Sequence, residues 1–265
     1  MTKSKEKPIR QSIVMANWKM YKTVAEAETF LYNVKAEVVG IKDVEMVICP
    51  PFTALESLHR LMEESNLILG AQNMHWGKEG AFTGEISPLM LKESGVTYVI
   101  IGHSERRNYF GENNDIVAQK VFAAVEAGLL PILCVGEDRE QRRAGDTEEV
   151  VKEQLLIALD GLKASRDTLK KIIVAYEPVW AIGSGAAAYP EDVTSVAVFI
   201  RSLLQEKWGE ISQQIRIAYG GSVKPDNISD FTSREDIDGA LVGGSSLKET
   251  VFVELVEAVR GERRV

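Results

Sequence analysis

Cysteine is scarce in this 265-residue chain. Cys49 and Cys134 are its two cysteines, and each lies inside an apolar run. Two thiols provide neither a disulfide framework nor a cysteine metal cluster, and we expect both to be buried in a reducing compartment. Histidine is scarce as well, and His59 and His75 lack a ligand-like spacing to His103. The sequence therefore indicates no metal site and no cofactor.

Long apolar runs and an excess of positive charge are also absent. No run approaches the ~18 residues that span a membrane, and the apolar stretch 12–16 is too short for a signal peptide. The 31 Lys and Arg residues against 39 Asp and Glu residues give a net charge of −8, which disfavours nucleic-acid binding. We expect a cytoplasmic protein with no membrane or nucleic-acid partner.

Short apolar runs alternate with amphipathic helical patterns along the chain. Most of the short runs are continuously apolar, which is typical of parallel strands buried on both faces. Helical spacing of apolar residues marks Val24–Val38 and residues 116–127, 147–162 and 194–208, and Pro190 with the acids after it predicts a helix start. The predicted strands are residues 13–17, 45–49, 67–71, 98–102, 130–135, 172–177, 215–219 and 239–242.

About eight β/α units fit either a closed barrel or an open doubly wound sheet. An open sheet usually carries G-x-G-x-x-G after its first strand, whereas the first strand here ends in Ala16-Asn17-Trp18-Lys19 without a glycine. We therefore predict an α/β fold, a (β/α)8 barrel, as a single domain over residues 1–265 with an N-terminal tail at 1–11. In such a barrel the functional residues follow the strands, at their carboxyl ends.

Polar residues follow several of the predicted strands. Asn17 and Lys19 come at the end of the first, His103 after the fourth and Glu177 at the end of the sixth. Each alone is commonly structural, but together at one barrel mouth they form an acid–base set beside a cation. That set suits proton abstraction next to a carbonyl, with stabilisation of an enediolate. Ser104 lacks a nucleophile-elbow pattern, and no carboxylate pair is obviously placed for glycoside hydrolysis.

Glycine-rich turns follow the last two predicted strands, as Gly220-Gly221-Ser222 and as Gly243-Gly244-Ser245-Ser246. Glycine lets backbone N–H groups approach an anion closely. Barrels commonly bind phosphate with these two loops and the N-terminus of a short helix, which residues 244–247 could begin. The pattern predicts a phosphate site and leaves the rest of the substrate open.

Several motifs together resemble those of the triosephosphate isomerase family, whose fold is the TIM barrel. The similarity extends from about Ile13 to the last helix, and the motifs occur in the family's order. They are Ala16-Asn17-Trp18-Lys19-Met20, Ala71-Gln72-Asn73, Gly84-Glu85, Ile101-Gly102-His103-Ser104-Glu105-Arg106-Arg107, Ala175-Tyr176-Glu177-Pro178-Val179-Trp180-Ala181-Ile182-Gly183, Tyr219-Gly220-Gly221-Ser222-Val223 and Leu241-Val242-Gly243-Gly244.

The resemblance implies an isomerase of glycolysis and gluconeogenesis that interconverts dihydroxyacetone phosphate and D-glyceraldehyde 3-phosphate through an enediolate. Glu177 would shuttle the proton, and His103 would polarise the oxygens as a neutral imidazole, for which this family is the established example. Lys19, with Asn17 beside it, would hold substrate and stabilise the enediolate. The implied substrate-binding residues are Asn17, Lys19, Gly183, Ser222, Gly243 and Gly244, the last four through backbone N–H groups.

The resemblance also implies a lid that closes over the site, and this family is an established example of such closure. The family usually carries a lysine after its Gly-[Ser/Thr]-Gly, where this chain has Ala186. We expect closure to survive with an altered open–closed balance. The lid residues are Pro178, Val179, Trp180, Ala181, Ile182, Gly183, Ser184, Gly185, Ala186, Ala187 and Ala188.

A long loop at residues 73–87 implies a homodimer by the same resemblance. It carries Met74, Trp76 and Phe82, and exposed apolar side chains on a long loop suggest an interface. Thr83 would lie near Asn17 and Lys19 of the partner subunit, and Glu85 belongs to the same dimer loop. The alternative is a loop packed on its own subunit.

The sequence leaves two other functions open. One is a phosphate-binding barrel isomerase that acts on a different sugar or amine phosphate, although the order of Lys, His and Glu disfavours it. The other is a non-catalytic or lid-impaired phosphate-binding barrel, which the alanines at 186–188 keep open.

Overall fold

The computed structural model describes residues 10–182 and 188–261. Within these ranges parallel strands pair in chain order, and the last strand pairs with the first to close a barrel. The predicted (β/α)8 barrel is thereby confirmed. The strands are β1 (Ser12–Asn17), β2 (Val44–Cys49), β3 (Leu67–Ala71), β4 (Tyr98–Ile101), β5 (Leu130–Val135), β6 (Ile173–Tyr176), β7 (Arg216–Tyr219) and β8 (Gly239–Val242).

Both faces of the sheet are buried, as the continuous apolar runs predict. In β1, Ile13 and Met15 belong to the cluster that fills the barrel interior. Val14 and Ala16 belong to the larger cluster between the barrel and the surrounding helices. Side chains along a strand alternate between faces, so each strand supplies two separate cores.

Helices cover the outside of the barrel within the described ranges. The helix predicted at residues 116–127 begins at Asn114, because the Asn113 side chain caps it by accepting the Ile116 N–H. The helix predicted at residues 147–162 ends earlier, at Leu159. Gly161, two residues later, has a φ of +66°, in the left-handed region. The helices are α1 (Val24–Val38), α2 (Leu55–Met62), α3 (Pro88–Glu93), α4 (Ser104–Phe110), α5 (Asn114–Glu126), α6 (Arg139–Ala144), α7 (Thr147–Leu159), α8 (Arg166–Leu169), α9 (Pro190–Trp208), α10 (Ile228–Thr232) and α11 (Glu249–Ala258).

Strand β6 is shorter than the predicted 172–177. The N–H of Glu177 still donates to the Val135 carbonyl at 2.8 Å. Pro178 has no N–H with which to continue the ladder. The chain therefore leaves the barrel directly after Glu177, which places this carboxylate at the carboxyl end of the strand.

A buried ion network lies at the opposite, amino end of the barrel. Arg10 falls inside the predicted tail of residues 1–11, yet its side chain is buried. Its Nε atom lies 2.7 Å from Oδ1 of Asp238, which directly precedes β8, and Arg201 of α9 contacts the same carboxylate at 3.5 Å. Arg10 is therefore packed onto the barrel, and the domain limits of 1–265 stay a prediction. No helix in the described part of the chain is long and apolar enough to cross a membrane.

Candidate active site

A pocket of about 290 Å³ opens at the carboxyl ends of the strands. Its walls come from the ends of β1, β4, β6, β7 and β8 and from the turns that follow them, as expected of a barrel. The four residues predicted to be catalytic, which are far apart in the sequence, are thus brought to one cavity. The predicted site residues that line it are Asn17, Lys19, His103, Glu177, Ser222, Gly243 and Gly244.

His103 and Glu177 are directly paired in this pocket. The Nε2 atom of His103 lies 3.0 Å from Oε1 of Glu177. His103 caps α4, because its Nδ1 atom accepts the backbone N–H of Glu105 at 3.2 Å. A nitrogen that accepts a hydrogen bond carries no proton, so the proton of the neutral ring resides on Nε2. The imidazole therefore presents a donor to the pocket.

Glu177 is almost completely buried, with 2% of its surface exposed. Its second oxygen, Oε2, accepts the backbone N–H of Ser104 at 2.9 Å, at the N-terminus of α4. Burial, followed by the nearby negative charge of Glu177, raises the pKa of the Cys134 thiol well above its usual range. The neighbouring thiol thus stays protonated.

Lys19 is held in a strained backbone conformation. Its φ of +52° lies in the left-handed region, which costs a non-glycine residue about 1–2 kcal/mol. The Lys19 N–H donates to Oδ1 of Asn17 at 3.1 Å, and the Gln72 side chain donates to the Lys19 carbonyl at 2.8 Å. The ammonium group lies 2.6 Å from Oε1 of Glu105. These contacts fix the cation at the mouth of the pocket.

The glycine-rich turns line the same pocket. Residues Gly244–Leu247 form a short 3₁₀ helix after β8, consistent with the predicted helix start. A Cβ atom on Gly243 would lie 3.3 Å from Cε of Lys19, so glycine here leaves room for the lysine side chain. The Ser222 hydroxyl donates to the Ala181 carbonyl at 2.8 Å. The turn after β7 is thereby tied to the chain that follows β6.

The predicted lid is described at its two ends. Residues Val179–Ala181 form a 3₁₀ turn, and the indole N–H of Trp180 donates to Oε1 of Glu137 at 2.8 Å. At the other end the Ala188 N–H donates to the Tyr219 hydroxyl at 3.2 Å. The predictions for Gly183, Ser184, Gly185, Ala186 and Ala187 fall outside the described residues, as does the predicted phosphate contact of Gly183.

The loop at residues 73–87 is partly exposed and partly packed on its own subunit. Thr83 and Glu85 are exposed. Phe82 is 48% exposed while its ring packs 4.1 Å from that of His75. The expectation of an exposed Met74 is wrong, because this side chain is fully buried in the main core. The base of the loop thus belongs to the subunit's own core, and its tip remains accessible.

The sequence patterns indicated no role for Gln72, Glu105 or Glu137. Gln72 directly follows β3 and Glu137 follows β5 by two residues, so their positions after strands could have marked them. Glu105 stands two residues after His103. No group of three or more metal-ligating side chains with suitable geometry occurs within 10–182 and 188–261.

Known triosephosphate isomerases are similar to this chain in sequence and in fold. A family model described as triosephosphate isomerase matches residues 12–259. Triosephosphate isomerase of Dictyoglomus thermophilum is 52% identical over 94% of this chain and 100% of its own length. That of Alkaliphilus metalliredigens is 50% identical over 94% and 99%. The crystal structure of triosephosphate isomerase from Bartonella henselae superimposes with a TM-score of 0.85, at 39% identity over 94% of this chain and 99% of that one. The chain belongs to the triosephosphate isomerase family.

Proposed function

We propose that this pocket interconverts dihydroxyacetone phosphate and D-glyceraldehyde 3-phosphate, a step of glycolysis and gluconeogenesis. One observation supports this function above all. A carboxylate, an imidazole that presents an N–H, and an ammonium group line the same small cavity as two glycine-rich turns. Proton abstraction next to a carbonyl needs the carboxylate, the imidazole and the ammonium group. Binding of a phosphate group needs the backbone N–H groups of the glycine-rich turns.

Glu177 is the base in this proposal. Its carboxylate takes a proton from C1 of dihydroxyacetone phosphate, the C–H electron pair forms the C1–C2 double bond, and the carbonyl oxygen becomes an oxyanion. Return of the proton to C2 gives the aldehyde. To reach either carbon, the carboxylate has to leave its present partners, the Ser104 N–H and the His103 ring. Substrate therefore enters between base and imidazole.

His103 and Lys19 act on the oxygens. The Nε2–H of His103 donates to the oxygen that gains charge and relays a proton between O1 and O2, while the ammonium of Lys19 stabilises the enediolate beside Asn17. The phosphate binds the backbone N–H groups of Ser222, Gly243, Gly244 and Gly183. Because the chain carries a net charge of −8, a local cation is needed to attract a dianionic substrate.

The lid, residues 178–188, closes over the bound substrate in this proposal. Closure excludes water, which strengthens the interactions of Lys19 and His103 with the enediolate. The two buried, free thiols, Cys49 and Cys134, are compatible with the reducing cytoplasm as the compartment.

The partner in this proposal is a second copy of the chain, bound through residues 73–87 with Thr83 and Glu85 at the contact. Exposed apolar side chains cluster on segments that follow β1, β3 and β4, namely Met20, Phe82, Leu89, Met90, Tyr109 and Phe110. A Phe82→Asp variant should shift the molecule toward monomers in sedimentation velocity. An unchanged dimer in that variant, or a monomeric parent, would count against this interface.

A turnover assay in D₂O tests the function. The parent should interconvert both triose phosphates and incorporate solvent deuterium at the carbon that accepts the proton. Deuterium at that carbon would indicate proton transfer through a base that exchanges with solvent, whereas a hydride shift carries the substrate's own hydrogen across. Activity on other sugar or amine phosphates alone would favour a different isomerase. Inhibition by a phosphorylated analogue separates binding from turnover, since a non-catalytic barrel would bind the analogue and turn over nothing.

A further inference from the structure

The two glycine-rich turns of the pocket are joined by a side chain. The turn after β7 comprises residues 220–227, and the turn after β8 comprises residues 243–247. The hydroxyl of Ser245 donates to the Val223 carbonyl at 2.7 Å. Within residues 10–182 and 188–261 this is the single hydrogen bond that runs directly from one turn to the other. Ser245 is half-buried and Val223 is buried, so the contact is partly shielded from water.

The sheet itself does not set the spacing of the two turns. Strands β7 and β8 pair at Ala218 with Gly239 and at Tyr219 with Ala240. Both turns lie beyond these paired residues, because β7 ends at Tyr219 and β8 at Val242. The ladder between the two strands therefore stops before the turns begin, and a side chain supplies the link at this height.

Asn227 provides a second restraint, within the turn after β7. Its Nδ2 atom donates to the Ser222 carbonyl at 3.2 Å, and its Oδ1 atom accepts the Lys224 N–H at 2.8 Å. Asparagine commonly fixes a turn by bonding to nearby backbone groups in this way. Asn227 thus holds the turn after β7 in shape, while Ser245 holds it at a set distance from the turn after β8.

The backbone donors of the turn after β8 are free to bind an anion. The N–H groups of Gly243 and Gly244 have no acceptor among the described residues, and both residues line the pocket. Phosphate oxygens form a tetrahedron, so donors from two turns reach one phosphate group only when the turns are correctly spaced. Donors that are in place before binding need not be ordered by the ligand, which increases affinity.

We infer that Ser245 and Asn227 are positioning residues for the phosphate group of the substrate, an inference that rests on the proposed isomerase function. The Ser245 hydroxyl acts through the Val223 carbonyl, and Asn227 acts through Ser222. Loss of either contact loosens the spacing of the backbone donors and weakens phosphate binding. The carboxylate, imidazole and ammonium groups of the pocket keep their own contacts, so the proton transfer itself is unaffected.

The first test compares Ser245→Ala with a matched control, Ser229→Ala. The alanine at 245 removes the link between the turns and leaves the rest of each turn intact. Ser229 also donates its hydroxyl to a main-chain carbonyl, that of Ala258, at 3.0 Å, and it does not line the pocket. The two variants therefore lose the same kind of hydrogen bond at different places.

The second test compares Asn227→Ala with Asn66→Ala. Asn66 directly precedes β3, at the amino end of the barrel, and its amide donates to the main-chain carbonyls of Val38 and Ile41. Its removal breaks side chain-to-backbone contacts of the same kind away from the pocket. This control separates a loss of phosphate affinity from a loss of stability, which thermal unfolding measures for every variant.

Three measurements separate phosphate binding from chemistry. Calorimetric titration with inorganic phosphate, with and without a phosphorylated inhibitor in the pocket, gives a Kd for this site without turnover. Steady-state kinetics with D-glyceraldehyde 3-phosphate give kcat and KM. Deuterium uptake from D₂O into D-glyceraldehyde, which lacks the phosphate group, reports on the proton-transferring groups alone.

We expect the Kd for phosphate and the KM for the phosphate ester to rise about three- to tenfold in Ser245→Ala and Asn227→Ala, the range for one lost hydrogen bond. Deuterium uptake by D-glyceraldehyde should stay within about twofold of the parent, and both controls should behave like the parent. Unchanged phosphate binding in both variants, or equal losses on substrates with and without phosphate, would overturn the inference.

Two further outcomes are decisive. If Asn227→Ala does not fold, Ser245→Ala alone decides, because it removes a single hydroxyl. A parent that binds phosphate in the pocket and interconverts neither triose phosphate would refute the proposed function. The Kd values of the variants would then still test whether these two residues position the phosphate-binding turns.

Discussion

The Nε2 atom of His103 lies 3.0 Å from Oε1 of Glu177, while Nδ1 of the same ring accepts a backbone N–H of α4. The first contact brings the two groups of a proton transfer together, and the second determines which nitrogen carries the proton. The base therefore rests against the donor that later serves the substrate oxygens. Replacing Glu177 by glutamine, its amide, therefore removes the proton acceptor and alters both contacts.

Glu177→Gln should fold and lower kcat by about 10²- to 10⁴-fold, the usual contribution of a positioned general base. An amide does not accept the proton, and its single oxygen satisfies only one of the two donors, Ser104 N–H and His103 Nε2–H. Steady-state kinetics, circular dichroism and binding of a phosphorylated inhibitor check this prediction. Glu56→Gln, on the exposed face of α2, is the control. Near-parental turnover in folded Glu177→Gln would show that another group is the base.

Lys19→Met should lower kcat/KM by about 10- to 150-fold, because a hydrogen-bonded charge contact in the site is worth roughly 1.5–3 kcal/mol. It also leaves the Glu105 carboxylate without its ammonium partner at a mouth that must admit a dianion. Lys22→Met is a matched control, since Lys22 lies in the same loop, also at positive φ, and does not line the pocket. Equal losses in the two variants would indicate that the loop conformation, and not the charge, matters.

Restoring the lysine usual in the family, Ala186→Lys, should change KM or kcat by no more than about tenfold, or ~1.4 kcal/mol. The lid keeps the contacts seen at its described ends, from Trp180 to Glu137 and from Ala188 to Tyr219. Steady-state kinetics of the two proteins and crystal structures with and without a phosphorylated inhibitor provide the measurement. A gain of several hundredfold, or a lid that stays open around the inhibitor, would show that the alanines disable closure.

Asp238→Asn should reduce the free energy of unfolding by about 3–5 kcal/mol, the range for breaking a buried ion pair. Its carboxylate accepts from Arg10 and from the Ile217 N–H, and an amide leaves the buried guanidinium undercompensated. Urea unfolding at fixed protein concentration measures the change. Asp43→Asn, which breaks an exposed pair with Arg260, should cost less than about 0.5 kcal/mol. Because Asp238 lies at the amino end of the barrel, kcat of the folded variant should match the parent.

The sequence by itself determined the β/α repeat and the residues at the carboxyl ends of its strands, and the absence of G-x-G-x-x-G favoured closure into a barrel. Continuous apolar runs between helical patterns require parallel strands buried on both faces, and the ends of parallel strands share one edge. Both rules depend only on the sequence pattern within and between strands. They therefore place Lys19, His103 and Glu177 at one edge of the sheet without giving any distance between them.

Only the tertiary structure decided how these groups are held. Lys19 and Glu105 are 86 positions apart, Arg10 and Asp238 are 228 apart, and no local pattern specifies such pairs. The proton position on His103 depends on where α4 begins, and the role of Glu137 depends on Trp180, 43 residues later. Ion pairs and hydrogen bonds require angstrom-level placement, which is set by the packing of whole elements and not by the periodicity of any one of them.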